Sequence, residues 1–239
     1  MRRRIPYQSL VPIYIFVLCV LLLSAIAGNK VITVISENAP IRQRKCVIID
    51  AGHGGEDGGA TSCTGVLEST INLEIALRLD DLMHFLGIDT IMIRKTDESV
   101  YTEGNSIAAK KVSDLKQRVK IVNETENAIL ISIHQNHFSD SRYSGGQVFY
   151  SATPGSEQLA KKLQTAIVQT LNPGSNRQAK KADGVYLMQN IRSTGILIEC
   201  GFLSNQQEEA KLRSESYQKN VCCVIASVLS CHLHTNTVA

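Results

Sequence analysis

Five residues of this 239-residue chain have types and positions that suit metal-assisted hydrolysis. His53 lies in a glycine-rich stretch after an apolar run, His134 and Glu199 each end another apolar run, and Glu68 begins a pattern with helical spacing. Two imidazoles and a carboxylate suit Zn²⁺, which in catalytic sites keeps one position for water. We therefore take His53, Glu68 and His134 as a candidate zinc triad. A second carboxylate, Glu199, could then carry a proton from that water to a leaving amine, with Glu56 as the next candidate.

Each assignment has a simpler alternative. Gly52 and Gly54 begin a dinucleotide-binding pattern, but its third glycine is missing, so that match fails. Glu68 fits equally well as a carboxylate that favours the positive end of its own helix. His137 is a candidate fourth ligand that fits better as a surface or substrate-side residue, and Cys63 fits better as an uninvolved loop thiol.

Strand-like and helix-like patterns alternate along the chain. Wholly apolar strands between helices predict an α/β fold, in which a mostly parallel, twisted sheet carries helices on both faces of a single catalytic domain. In such sheets, sites form beyond the carboxyl ends of the strands, so His53, His134 and Glu199 are expected to converge at one edge. The patterns predict strands at 46–50, 90–94, 128–133, 147–150, 185–188 and 196–199, and helices at 68–86, 114–125, 155–171, 205–212 and 216–233.

The long polar segment 95–113 follows the second predicted strand. Connections of this length are often functional, so we expect the segment to border the substrate groove. A plain surface excursion is the alternative.

The N-terminal region has the composition of an export signal. Residues 1–27 combine Arg2, Arg3 and Arg4 with an apolar run, and they predict a signal peptide or a membrane anchor that places the rest of the chain outside the membrane. Residues 28–44 are interpreted as a linker and 45–239 as the catalytic domain. The formal charge of +3 equals the contribution of the three arginines, so it gives no support to nucleic-acid binding.

Four motifs resemble those of the zinc-dependent type 3 family of N-acetylmuramoyl-L-alanine amidases. They are residues 47–60, residues 65–68 with Asn72 and Leu73, residues 132–136 and residues 198–205. The resemblance covers about residues 45–234. It implies that His53, Glu68 and His134 bind zinc and that Glu199 is the catalytic acid/base.

The resemblance also implies a substrate and a setting. It indicates hydrolysis of the amide between N-acetylmuramic acid and L-alanine in peptidoglycan, with glycan strands and stem peptides as partners. Residues 183–187 and the single-domain layout are most similar to the sporulation amidases, which remove stem peptides in the spore cortex. His137 and Cys200 depart from the family pattern beside the site, where they could alter substrate fit.

Two other functions fit the same residues. One is another zinc hydrolase of the cell wall, either a peptidase or a sugar deacetylase. The other is a catalytically silent wall-binding protein, which the intact set of candidate residues disfavours. An exported amidase also leaves room for an accessory extracytoplasmic protein.

Overall fold

Apolar strands alternate with amphipathic helices in the computed structural model, which describes residues 45–235. The predictions for residues 1–27 and 28–44 lie outside these residues. The strands are β1 (Cys46–Ala51), β2 (Thr90–Met92), β3 (Ala128–Asn136), β4 (Gln147–Tyr150), β5 (Lys180–Lys181) and β6 (Thr194–Phe202). The helices are α1 (Glu68–Phe85), α2 (Ile107–Glu124), α3 (Ser156–Thr170), α4 (Tyr186–Asn190), α5 (Gln206–Leu212) and α6 (Glu215–Thr235).

The six strands form one sheet in the order β2-β1-β3-β6-β4-β5. β1 pairs in parallel with both β2 and β3, β3 pairs in parallel with β6, and β4 pairs in parallel with β5. Only β4 and β6, among the paired strands described, run antiparallel. The predicted α/β fold with a mostly parallel sheet is confirmed.

Each face of the sheet carries its own hydrophobic core because side chains alternate across the pleat. On one face, Ile49 and Ile131 pack with residues of α1, α3 and α6. On the other, Ile48 and Leu130 pack with residues of α2 and α4. Burial on both faces explains why the central strands lack polar alternation.

The prediction of a strand at 185–188 is wrong, because Tyr186–Asn190 forms a short helix. Leu187 and Met188 are consecutive, and both are buried in the same core cluster as Ile191. A strand would point the two neighbours to opposite faces, whereas a helical turn places both on one side. The strand actually present nearby is Lys180–Lys181, an exposed pair with no apolar signal.

The second helix begins earlier than predicted, so residues 107–113 are helical and not part of a long loop. Ser106 caps this helix by accepting a hydrogen bond from the Ala109 N–H. The first two turns are mostly exposed and therefore lack the apolar period that locates Asp114 to Thr125. Within residues 45–235, no helix combines the length and the apolar character that crossing a membrane requires.

Candidate metal centre and catalytic carboxylate

The loop after β1 brings His53 beside Glu68 at the first turn of α1. His53 has a φ of +61°, a conformation that is uncommon for residues other than glycine. Its Nε2 lies 3.3 Å from Glu68 Oε2. Gly59 allows this approach, since a Cβ there would lie 2.6 Å from the same Glu68 oxygen. A glycine is thus required at position 59 for Glu68 to approach His53.

The Glu68 carboxylate is buried and surrounded by donors. Its Oε2 accepts from the Ala60 N–H at 3.0 Å, and its Oε1 accepts from the Gln135 N–H at 3.1 Å. The Asn72 side chain donates to Oε1 at 3.3 Å, and His134 Nδ1 lies 3.0 Å from the same oxygen. These contacts fix the carboxylate between two strand ends, which goes beyond a simple role at the helix terminus.

His53, Glu68 and His134 offer three ligand atoms that all lie within 4.8 Å of one another. The two imidazole rings stand edge to face, with centroids 5.0 Å apart. Gly52 leaves room for the second ring, because a Cβ at that position would lie 2.2 Å from His134 atoms. The cluster could hold a metal ion, and two nitrogen donors with one oxygen donor suit zinc.

The charges around the cluster favour a cation. Burial opposes protonation of His53, but hydrogen bonds to Asp57 and Glu68 prevail and raise its pKa to about 9. Burial would raise the pKa of Glu68, yet its hydrogen bonds with His134 and His53 lower that pKa far below the usual range. The site therefore keeps its carboxylate ionised, and a proton on His53 competes with a metal ion.

Glu199 lies on β6 directly opposite His134 of β3 in the parallel pairing. The residue as a whole is half-buried, but its Oε2 atom is closed to solvent and has no hydrogen-bond partner. Burial raises the pKa of Glu199 to about 7, with the charge of Glu68 acting in the same direction and that of His134 against it. A carboxylate with this pKa can both accept and release a proton near neutral pH.

Three residues considered from the sequence lie outside the cluster. His137 is exposed just beyond β3, as expected for a surface residue. Cys63 is an exposed free thiol in the loop before α1. Glu56 is exposed and pairs with Lys110 at 2.7 Å, which makes it a weaker candidate than Glu199 for proton transfer.

Sequence reasoning missed Asp57, whose Oδ2 lies 2.8 Å from His53 Nδ1. A carboxylate on this nitrogen fixes the ring orientation and directs Nε2 towards Glu68. The hydrogen bond with His53 and the neighbouring Lys111 lower the pKa of Asp57 far below the usual range. An acid four residues after the histidine within the glycine-rich motif was the available signal.

A buried ionic network under the His53 loop was also missed. Arg118 of α2 bonds to Asp50 at the end of β1, to Asp114 at 2.6 Å, and to the His53 carbonyl at 2.8 Å. Ser132 of β3 donates to Asp50 at 2.6 Å. The helical spacing of Asp114 and Arg118 is visible in sequence, but their burial is not.

The segment before α2 packs against the glycine-rich loop. Ser99 donates to the Gly54 carbonyl at 2.5 Å, and the Gly55 N–H donates to Asp97 at 3.1 Å. The segment therefore braces the loop that carries His53. That residues 95–113 also border the substrate groove stays a prediction.

Comparisons with known proteins show the family to which the chain belongs. The sequence model of the Amidase_3 family, described as N-acetylmuramoyl-L-alanine amidase, matches residues 47–230. The germination-specific N-acetylmuramoyl-L-alanine amidase of Bacillus subtilis (strain 168) is 39% identical over 183 residues, which are 76% of each chain.

Solved structures share the fold as well. The CwlD amidase of Clostridioides difficile, solved in complex with the GerS lipoprotein, has a TM-score of 0.77 and 35% identity, covering 80% of this chain and 100% of that one. An N-acetylmuramoyl-L-alanine amidase of Clostridium difficile 630 has a TM-score of 0.70 and 29% identity, with 80% and 97% coverage. These matches favour an amidase over the peptidase, deacetylase and silent alternatives. The chain belongs to the N-acetylmuramoyl-L-alanine amidase family, whose members hydrolyse the amide between N-acetylmuramic acid and L-alanine in peptidoglycan.

Proposed function

We propose that this amidase works through zinc held by His53, Glu68 and His134, with Glu199 as the group that moves the proton. The observation that carries the proposal is the Glu199 carboxylate, whose Oε2 is closed to solvent and unpartnered. It faces no structural partner, yet it is in register with His134 beside the three clustered ligand atoms. A buried polar group without a partner is costly, and such groups are retained at functional sites.

The chain's own residues divide the work of amide hydrolysis. When bound, zinc supplies a Lewis acid for the scissile carbonyl and lowers the pKa of a water. Glu199 accepts a proton from the water that attacks the lactyl carbonyl of N-acetylmuramic acid. Glu199 then gives the proton to the departing amine of L-alanine as the C–N bond breaks. The carboxylate thereby returns to its starting state.

We further propose that the enzyme acts outside the cytoplasmic membrane on spore cortex peptidoglycan, where it removes stem peptides. Support comes from the germination-specific name of the Bacillus relative and from the basic and apolar residues 1–27. The GerS lipoprotein in the Clostridioides complex supports an accessory extracytoplasmic protein as a partner. A reporter fused after residue 44 should be active only when exported, and recovery of the full-length protein from the cytoplasm would contradict this setting.

Mass spectrometry of purified peptidoglycan fragments tests the reaction. The zinc-loaded protein should release stem peptides with a free L-alanine amine and leave muramic acid with a free lactyl carboxylate. The Glu199→Gln protein serves as the control, because it removes the basicity and preserves the shape. New peptide termini within the stems, or deacetylated sugars, would instead indicate one of the other wall hydrolases.

A further inference from the structure

Two aromatic side chains stand exposed side by side just beyond β3. Phe138 is 51% exposed and Tyr143 is 47% exposed. Their ring centroids are 5.0 Å apart in an edge-to-face arrangement. Tyr143 also stacks on the buried ring of Phe202 at 6.1 Å, and the Arg177 guanidinium lies 4.9 Å from the centroid of that ring. We call the exposed pair Phe138 and Tyr143 the aromatic platform.

The loop that carries the platform is pinned to the segment after β6. The Phe138 N–H donates to Ser204 Oγ at 3.2 Å. The Asn205 side chain donates to the carbonyls of Ser141 at 2.8 Å and Tyr143 at 3.2 Å. At the far end of the loop, the Gly145 N–H donates to the buried carboxylate of Glu208 at 2.7 Å.

These bonds hold the exposed rings in place before any ligand arrives. A pre-ordered surface loses less conformational entropy on binding than a mobile loop does. Exposed hydrophobic residues scattered singly need no explanation, whereas a contiguous and fixed pair is a candidate interaction site.

The platform lies outward from the metal centre on the same edge of the sheet. Glu199 and His134 pair in register, and three residues further along β6, Phe202 pairs with Asn136 at the end of β3. The register shifts between these two pairs, so that three residues of β6 lie opposite two of β3, and two residues of strand span about 7 Å. The backbone of Phe202 therefore lies about 7 Å further along the sheet than that of Glu199, and Tyr143 of the platform stacks on the Phe202 ring.

The surroundings limit what can bind there. Next to the platform, Arg142 is exposed and forms an ion pair with Asp140 at 2.7 Å. A stable protein–protein interface buries about 800 Å² on each partner, which two rings amid charged residues do not provide. Sugar rings need less area, since each presents one face of C–H groups that packs on an aromatic ring and a rim of hydroxyls that stays hydrated.

We propose that the aromatic platform is a glycan subsite that holds a sugar of the peptidoglycan strand next to the residue whose amide is cleaved. The inference rests on the proposed function, because it assigns part of the same polymeric substrate. Arg177, fixed by its bonds to the Ser144 carbonyl at 3.0 Å and to Gln147 at 3.4 Å, places a positive charge behind the platform. A single muramyl peptide has no neighbouring sugar to place on the platform, so the platform adds affinity only for the polymer.

The test compares polymer with fragment. Kinetics of the zinc-loaded enzyme are measured on polymeric peptidoglycan and on a soluble N-acetylmuramoyl dipeptide. Phe138→Ala combined with Tyr143→Ala should lower the ratio of polymer to fragment kcat/KM by about tenfold, mainly through KM for polymer. Phe138→Ala alone, which leaves the Tyr143 stack intact, should lower the ratio less but in the same direction.

Phe85→Ala is the matched control. Phe85 is 86% exposed at the far end of α1, about 25 Å along the helix from Glu68, so its removal should leave the ratio unchanged. Zinc content and thermal unfolding are measured for each variant. An unchanged ratio in the folded Phe138→Ala protein would overturn the subsite.

A binding experiment separates this inference from the proposed function. Glu199→Gln protein is sedimented with insoluble peptidoglycan, with and without the Phe138→Ala substitution. Weaker sedimentation in the double variant supports the subsite even if the enzyme proves to cleave a different bond. Equal sedimentation overturns the subsite even if the amidase reaction is established.

Discussion

Glu68 and Glu199 lie on two sides of the same site, and their surroundings are opposite. Glu68, at the start of α1, accepts hydrogen bonds from two backbone N–H groups and contacts both histidines. Glu199, near the end of β6, has an oxygen, Oε2, that is closed to solvent and has no hydrogen-bond partner. The pKa of Glu68 is lowered and that of Glu199 is raised to about 7.

The difference teaches how one fold gives two carboxylates separate roles. A group that must bind a cation benefits from donors that keep it charged and fixed. A group that must carry a proton needs a pKa near the working pH and an oxygen that is free to receive it. Pairs of acids whose environments push their pKa values apart are a recurring feature of hydrolytic sites.

The largest expected effect comes from substituting Glu68, whose carboxylate is surrounded by hydrogen-bond donors. Glu68→Gln removes the negative charge and one metal ligand, so zinc and activity should be lost together. His134→Ala should behave in the same way. Elemental analysis of the purified variants measures the zinc, and stoichiometric metal in either protein would contradict the ligand assignment.

The same substitution at the other carboxylate should separate metal from activity. Glu199→Gln keeps the shape and removes the basicity, so the protein should carry one zinc and turn over about 10²–10⁴-fold more slowly. Zinc content and single-turnover rates are measured on the same preparation. If this variant lost its zinc, Glu199 would be a ligand, and if it kept near full activity, the proton carrier would lie elsewhere.

How far the sequence predicts the fold depends on whether a segment is buried. Helix α1 and strand β3 are recognised because apolar side chains mark their buried faces. Strand β5 is two exposed lysines, and the first turns of α2 are mostly exposed, so neither has an apolar pattern to detect. Leu187 and Met188 show that a short apolar run fits either a strand or a helical turn until its packing is known.

The site is predicted to a similar extent. The sequence places His134 and Glu199 at the ends of apolar strands, and strand ends converge at one edge, so their proximity follows from the fold class. Asp57 and Arg118 act through contacts that depend on how the glycine-rich loop turns back on itself. Backbone conformations such as the positive φ of His53 are set by the whole neighbourhood and not by local spacing.

The pH dependence of folding stability tests whether the pKa of Glu199 is raised. In metal-free protein, Glu199 releases its proton near pH 4.5 when unfolded but near pH 7 when folded, so folding stability falls as pH rises between these values. Glu199→Gln avoids this loss and should be more stable above pH 7, by up to about 3 kcal/mol. Urea unfolding with a chelator, at pH 5 and pH 8, measures the gap between the two proteins.

Glu56→Gln is the control for that experiment, since Glu56 is exposed and only loses an ion pair at the surface. Its stability relative to the unchanged protein should vary little with pH. A gap for Glu199→Gln that is the same at pH 5 and pH 8 would show that its carboxylate is not held in a dehydrated place.

The smallest expected effect lies one contact away from the metal ligands, at Asp57. Its carboxylate contacts His53 Nδ1 at 2.8 Å and is also 3.2 Å from Lys111 Nζ. Asp57→Asn should weaken the orientation and basicity of the imidazole without removing a ligand, so zinc affinity should fall about 10–100-fold. Competition with a chromogenic chelator measures this affinity.

Lys111→Gln is the matched control, because it breaks the exposed ion pair of Asp57 and leaves the contact with His53, so its zinc affinity should stay close to the original. If both substitutions weakened zinc equally, the loop charge and not the contact with His53 would be responsible. If neither substitution weakened zinc binding, the contact between Asp57 and His53 would make no contribution to zinc affinity.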